Sequence, residues 1–212
     1  MMLGFVKDQW VYLKCAKNGC MTYSEFLKRH GWREIDLFEN DLNLREMVLW
    51  GHITDPHHRH TRGVEQYVLA NSINIQEEKL EKLLVSGVFD EHTYSLSMML
   101  GSLWHLPIHW IPLDAKITKW NQFPESPEEL NGDDLTNAFF QEQEIDLKIT
   151  IHDRLHVSTE FKIRDHIKEL KEKYHTNYQK LVKNFLQQDL LLYTKVVNDY
   201  NKKYLLLGDK NK

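Results

Sequence analysis

The run Met47-Val48-Leu49-Trp50-Gly51-His52-Ile53 is short, apolar without a break, and bounded by polar residues at both ends. A strand with one wet face alternates in polarity. A strand covered on both faces does not, and such strands belong mainly to parallel sheets flanked by helices. The run ends in Thr54-Asp55-Pro56, after which Val64, Tyr67 and Val68 mark one face of a helix that stops near Asn71 to Asn74. An earlier segment repeats the form: apolar Trp10-Val11-Tyr12-Leu13, polar Lys14 to Thr22, then an amphipathic run from Tyr23 to His30. Two strands joined by helical material, each with a polar loop at its carboxyl end, are the grammar of a β-α-β sheet.

The rest of the chain fits around that sheet. Trp32 to Phe38 alternates weakly, as a strand does, and Pro107 to Leu113 reads as a strand at or near a sheet edge because prolines stand near both of its limits. A second helix is expected over Gln76 to Leu84, and an apolar segment over Leu96 to Trp104. Asp114 to Asp133, with Pro124, Pro127 and Asn131-Gly132, reads as a long surface loop, and Asp134 to Ile145 as a short helix. Beyond a polar turn at Asp153 to Ser158 the chain is helical. Phe161, Ile163, Ile167, Leu170 and Tyr174 share one face, Thr176-x-x-Gln179 offers a capping box, and Tyr178, Leu181, Val182, Phe185, Leu186, Leu192 and Tyr193 continue the face. Lys202 to Lys212 is expected to fray. These readings give one domain over 1–212, with an α/β core over 1–114, a loop over 115–133 and a helical portion over 134–205.

Composition narrows the function. At 212 residues, 42% hydrophobic and 27% charged, the chain can bury a real core. A net charge of −4 gives no general attraction to nucleic acid or to an acidic membrane. Cys15 and Cys20 fit no common zinc spacing and suggest a reducing compartment. No secretory signal and no membrane-length apolar window is visible, so a cytoplasmic protein is expected.

Two loops could carry chemistry. Lys14-Cys15-Ala16-Lys17-Asn18-Gly19-Cys20-Met21-Thr22 joins a strand to a helix, where backbone N–H groups and the positive end of the helix dipole converge on an anion, with Lys17 adding charge and Thr22 a hydroxyl. It is not the triphosphate loop G-x-x-x-x-G-K-S/T, since its single glycine follows the lysine. A plain turn built on Gly19 explains the same residues. Gly51 to Gly63 crowds Arg59, Arg62, Thr61 and the histidines His57, His58 and His60 around the start of a helix. Cations there oppose the macrodipole by some tenths of a kcal/mol each unless an anion is present. A solvated polar helix start and a histidine metal site are the competing readings.

In order and separation these two loops resemble the signatures of the sulfotransferase family. Lys17-Asn18-Gly19-Cys20-Met21-Thr22 is similar to its 5′-phosphosulfate loop, and Thr54-Asp55-Pro56-His57-His58-Arg59 to its R-D-P-x-x-R segment, which holds the 3′-phosphate of 3′-phosphoadenosine 5′-phosphosulfate (PAPS). Asp90-Glu91-His92-Thr93 resembles the D-x-H stretch of carbohydrate sulfotransferases and their bacterial and phage relatives. Ile111-Pro112-Leu113-Asp114 resembles the segment that follows it, Leu155-His156-Val157-Ser158 a short H-x-N-x-S-like loop, and Phe185 to Tyr193 the closing Y-x-x-D-F-x-L-F helix. Departures are plain: Thr54 replaces the first arginine, Arg62 stands where a serine is expected, and Cys20 and Met21 replace hydroxyl residues.

The resemblance implies a P-loop-like three-layer α/β/α fold with a central, mostly parallel sheet and a helical C-terminal part. It implies PAPS as cofactor, PAP as product, and a carbohydrate or small-molecule acceptor. Lys17, Asn18, Gly19, Cys20, Met21 and Thr22 would hold the phosphosulfate, and Arg59, Thr61 and Arg62 the 3′-phosphate. Lys17 would stabilise the leaving phosphate and His92, beside Glu91, would take the acceptor proton, with His52 and His30 as alternatives. A non-catalytic nucleotide-binding relative of the same fold and a metal hydrolase using His57, His58 and His60 are the other readings. No metal is implied by the resemblance, and the acceptor and oligomeric state are open.

Overall fold

The computed structural model describes residues 2–15, 20–70, 93–119, 128–150 and 161–209. The chain divides into two compact units: one formed by Met1–Thr54, Leu106–Leu155 and Leu192–Lys212, the other by Asp55–His105 and His156–Leu191. The protein is mixed α/β.

The first unit holds a five-stranded mixed sheet of β1 (Leu3–Lys7), β2 (Trp10–Leu13), β3 (Arg33–Asp36), β4 (Val48–Ile53) and β5 (Ile108–Pro112), in the order β3-β1-β2-β4-β5. β2, β4 and β5 run parallel, with Leu13 opposite Gly51 and Ile53 opposite Pro112. β1 is antiparallel to β2 and β3. The continuous apolar run over β4 accordingly lies in the interior, with Leu49 through Ile53 buried. β5 is an edge strand, as its prolines suggest.

Trp50 sits at the centre of an aromatic core, its ring 4.7 Å from Tyr12, 5.5 Å from Phe139 and 5.4 Å from Phe140 between centroids. Each aromatic ring so enclosed removes about 150–250 Å² from water. Helix α1 (Cys20–Arg29) adds Tyr23, Phe26 and Leu27 to that core. It stops where Gly31 takes φ 79°, letting the Gly31 N–H reach Lys28 O at 3.1 Å and the Trp32 N–H reach Leu27 O at 3.0 Å. That pair of bonds satisfies the last carbonyls and turns Trp32 into the core.

The first residues form β1, which alternation did not signal, and several readings are corrected. The expected loop over 114–133 contains a two-stranded antiparallel ribbon, β6 (Ile117–Lys119) with β7 (Glu128–Leu130). Asn131-Gly132 is no loop turn: Asn131 caps the helix Gly132–Glu142, its side chain accepting from Asp133 N and Asp134 N while Asp134 reaches back. Gly132 is required there because an added Cβ would lie 2.5 Å from Leu113 O. Finally, the last helix (Gln187–Asp209) does not fray at Lys202, since Tyr200 and Tyr204 anchor it on the core of the first unit.

The second unit is helical. It holds the helix Pro56–Ala70, a short helix Leu96–Leu100 running into a 3₁₀ turn Gly101–His105, and helices Phe161–Lys173 and His175–Leu181, followed by a π-helical turn Val182–Leu186 and the first residues of the last helix. The capping box expected at Thr176 is absent. The helix restarts after Tyr174, with no side-chain cap bond, and Thr176 lies inside it. The π turn also shifts the apolar face, so that Leu186 joins Tyr178, Leu181 and Val182 while Phe185 is 39% exposed. The helix expected at 76–84, Asp90-Glu91-His92 and 155–158 lie outside the described residues.

Candidate functional site

In the first unit, the chain leaves β2 at Leu13 and β4 at Ile53, the carboxyl ends of neighbouring parallel strands. Lys17, Asn18 and Gly19, in the loop after β2, lie outside the described residues. Cys20 and Met21 open α1, and Thr22 is half-buried in its first turn. No acidic residue sits in that turn to neutralise the positive end of the helix.

His52 is fully buried. Its Nε2 lies 3.0 Å from Thr136 Oγ1, its Nδ1 3.4 Å from Tyr12 Oη, and its ring stacks on Tyr23 at 3.7 Å. Burial lowers its pKa to about 3, so at neutral pH it is an uncharged core residue and a poor proton acceptor. His30, the other alternative base, spends Nδ1 on Phe26 O at 2.8 Å.

The second unit places the other candidates on the helix Pro56–Ala70. Pro56 occupies its first position, where a missing N–H costs nothing. Asp55 Oδ1 accepts from His57 N at 2.8 Å and His58 N at 3.0 Å, which caps the helix. Arg59 points inward and is 2% exposed. Its guanidinium donates to Tyr94 O and, at 2.6 Å, to Asp189 Oδ2, which also accepts from Leu96 N at 2.7 Å. Burial raises the Asp189 carboxyl above its ordinary pKa, and Arg59 with the backbone N–H groups opposes that rise. Arg62 keeps a guanidinium 28% exposed, 3.7 Å from Glu65. Arg59 and Arg62 therefore face different surroundings.

Thr61 belongs to a compact polar cluster. Its hydroxyl donates to His57 O at 2.8 Å and accepts from Lys171 Nζ at 2.6 Å. Lys171 also donates to Tyr178 Oη at 3.0 Å and lies 4.4 Å from that ring's centroid, while Tyr178 Oη is 2.9 Å from His57 Nδ1. Burial lowers the Lys171 ammonium to about pKa 7 against the opposing pull of Asp55. Burial likewise lowers His57, with Asp55 opposing and Lys171 reinforcing, and raises Tyr178. His58 is exposed and His60 buried, with its ring 6.1 Å from Tyr178. Among the described residues no three His, Cys, Asp or Glu side chains converge as metal ligands.

Sequence reasoning missed Lys171 and Tyr178, and it used Asp189 only as part of a motif. Lys171 stands four residues after Ile167 and seven before Tyr178, in the apolar phase of the helix, and that misplaced lysine was the available signal.

No family model, curated protein or solved structure matches the chain. The reading of the site rests on its own chemistry. Among the described residues no helix is long and apolar enough to cross a membrane.

Proposed function

We propose that the chain is a sulfotransferase of P-loop-like three-layer α/β/α architecture, transferring a sulfuryl group from PAPS to a hydroxyl or amine of a carbohydrate or small-molecule acceptor. The observation that carries this reading is the pairing of β2 with β4. They are adjacent and parallel, and the crossover from β2 leads to β3 on one side while β4 lies on the other. Open α/β sheets bind ligands outside the strand carboxyl ends where the connections diverge in this way. The loops that leave those two ends are the two that resemble phosphate-binding signatures.

PAPS, when bound, supplies an activated sulfuryl group. The chain's part is to position the acceptor and to stabilise charge, as in phosphoryl transfer. Lys17, the Gly19 N–H and the Thr22 hydroxyl would hold its 5′-phosphosulfate and stabilise negative charge on that phosphate. The first turn of α1, which carries no acidic residue, would add to that field. His92 takes the acceptor proton, a role His52 is unfit for at a pKa of about 3. Arg62, whose side chain is 28% exposed, is the cation of the second loop that would reach the 3′-phosphate, while Arg59 is committed to Asp189 inside the fold.

The test is a thermal and calorimetric titration with PAP, against ATP, on the native chain and on Lys17→Ala and Arg62→Ala. Arg59→Ala is unsuitable, because it strands a buried carboxylate. At a hundred times its dissociation constant PAP should add about 2.7 kcal/mol of stability. No stabilisation, or unchanged binding by both variants, overturns the reading. PAP binding without transfer to any acceptor points instead to a non-catalytic nucleotide-binding relative, an outcome that Cys20 and Met21 in place of hydroxyls make worth testing.

A further inference from the structure

The second unit contains a groove of about 430 Å³ between the turn at Ser95–Met98 and the π-helical turn with the residues after it. That size lies within the range of small-molecule sites. Its walls are held in place from beneath. Asp189 accepts from Leu96 N on one wall and from Arg59, which in turn donates to Tyr94 O, so a single buried ion pair ties the two walls together. π-helical turns are rare and occur often at functional sites. This one turns Lys183, Asn184 and Phe185 toward the groove instead of burying Phe185 on the apolar face.

The lining has a mixed chemistry. The carboxamides of Asn184, Gln187 and Gln188 carry both donors and acceptors, and none makes a hydrogen bond among the described residues. Ser97 adds a hydroxyl 3.0 Å from that of Ser95. Three large apolar side chains are exposed beside them, Phe185 at 39%, Met98 at 47% and Leu191 at 65%. Among the described residues the lining carries no carboxylate and a single lysine. Those residues offer a cationic ligand nothing to pair with, and a polyanion one charge. A purely apolar ligand would strand three carboxamides away from water. Vicinal hydroxyls match paired donor-acceptor groups, and the C–H face of a sugar ring matches an exposed phenyl ring.

We propose that this groove binds a saccharide of one or two pyranose rings, stacked on Phe185 and hydrogen-bonded by Asn184, Gln187, Gln188 and Ser97. The saccharide binding does not rest on the sulfuryl-transfer reading.

The experiment is a titration of the full chain, labelled at its methionine methyls, with cellobiose, maltose and N-acetyllactosamine, followed by NMR with and without PAP. At least one sugar should move the Met98 methyl along a saturating curve. Phe185→Ala should weaken that binding roughly tenfold, about what one aromatic contact contributes. Asn184→Ala with Gln188→Ala should weaken it while leaving the thermal midpoint unchanged, since both side chains are exposed. If no sugar moves Met98, or Phe185→Ala binds as the native chain does, the groove is not a saccharide site. PAP binding in the same samples separates the two readings: PAP bound without sugar overturns the groove alone, and sugar bound without PAP overturns the transfer reading alone.

Discussion

Lys171 allows a prediction that can be worked through to a number. Its ordinary pKa of 10.5 falls to about 7 in the folded protein because burial disfavours the ammonium, and Asp55 only partly opposes this. Below pH 7 both folded and unfolded chains hold the proton, so stability does not change with pH through this group. Between about 7 and 10.5 the unfolded chain keeps a proton that the folded chain has released, and stability rises with pH. The full slope is about 1.4 kcal/mol per pH unit, so from pH 7 to pH 9 the gain is roughly 2 kcal/mol. That is an upper bound, since the side chain is only half-buried and solvent screens part of the effect. Lys171→Met removes the amine at similar length, and it leaves Thr61 bonded to His57 O at 2.8 Å and Tyr178 bonded to His57 Nδ1 at 2.9 Å. His57 is lowered and Tyr178 raised, so neither titrates inside the window. Urea unfolding followed by tryptophan fluorescence at pH 7, 8 and 9 should show the native chain gaining on Lys171→Met by up to that amount. Parallel curves for the two proteins would refute the reasoning.

Two further outcomes follow from buried groups. Arg59→Met or Asp189→Asn alone should cost about 3–5 kcal/mol, because each strands a partner that is itself nearly inaccessible, whereas the double change to apolar residues should cost much less; equal losses for single and double variants in denaturant titrations would contradict this. His52 should show no protonation by NMR between pH 8 and pH 5, given its pKa near 3 and its enclosure by Tyr12, Tyr23 and Thr136; a midpoint near 6.5 would show that the ring is hydrated.

The parts of the fold that were legible are those where pattern and burial coincide. β4 reads as covered on both faces because it is, and β2 and β5 are marked by their loops and prolines. β1 was hidden by Gly4, which counts against a strand by propensity but is needed because a Cβ there would come within 2.9 Å of Tyr12 O. β6 and β7 are three residues each and partly charged, too short to carry a period, and Lys119 and Glu128 meet across them only once the ribbon has formed. Phe185 and Leu186 were both placed on the apolar face, and across the π turn only Leu186 stays there. Lys171 and Asp189 are single polar residues in an apolar phase, whose partners lie 110 and 130 residues away. No local pattern can announce a pairing across such distances.

The first turn of the helix Pro56–Ala70 is neutralised from within the fold. Histidines and arginines crowded at a positive helix end called for an anion, and a ligand was one way to supply it. The protein supplies its own: Asp55 takes the His57 and His58 N–H groups, and Asp189 takes Arg59. The crowding is therefore explained without a cofactor, and what still favours a bound phosphate is narrower. It consists of Arg62, whose side chain is 28% exposed and pairs with the buried Glu65 at the longer distance of 3.7 Å, and of α1, whose first turn carries no acid. If PAP binds, Arg62→Ala should weaken it by more than any substitution at His57 or His58, because those residues contribute backbone donors that Asp55 already occupies. Equal loss from His58→Ala and Arg62→Ala would mean that the helix end, and not the arginine, holds the anion.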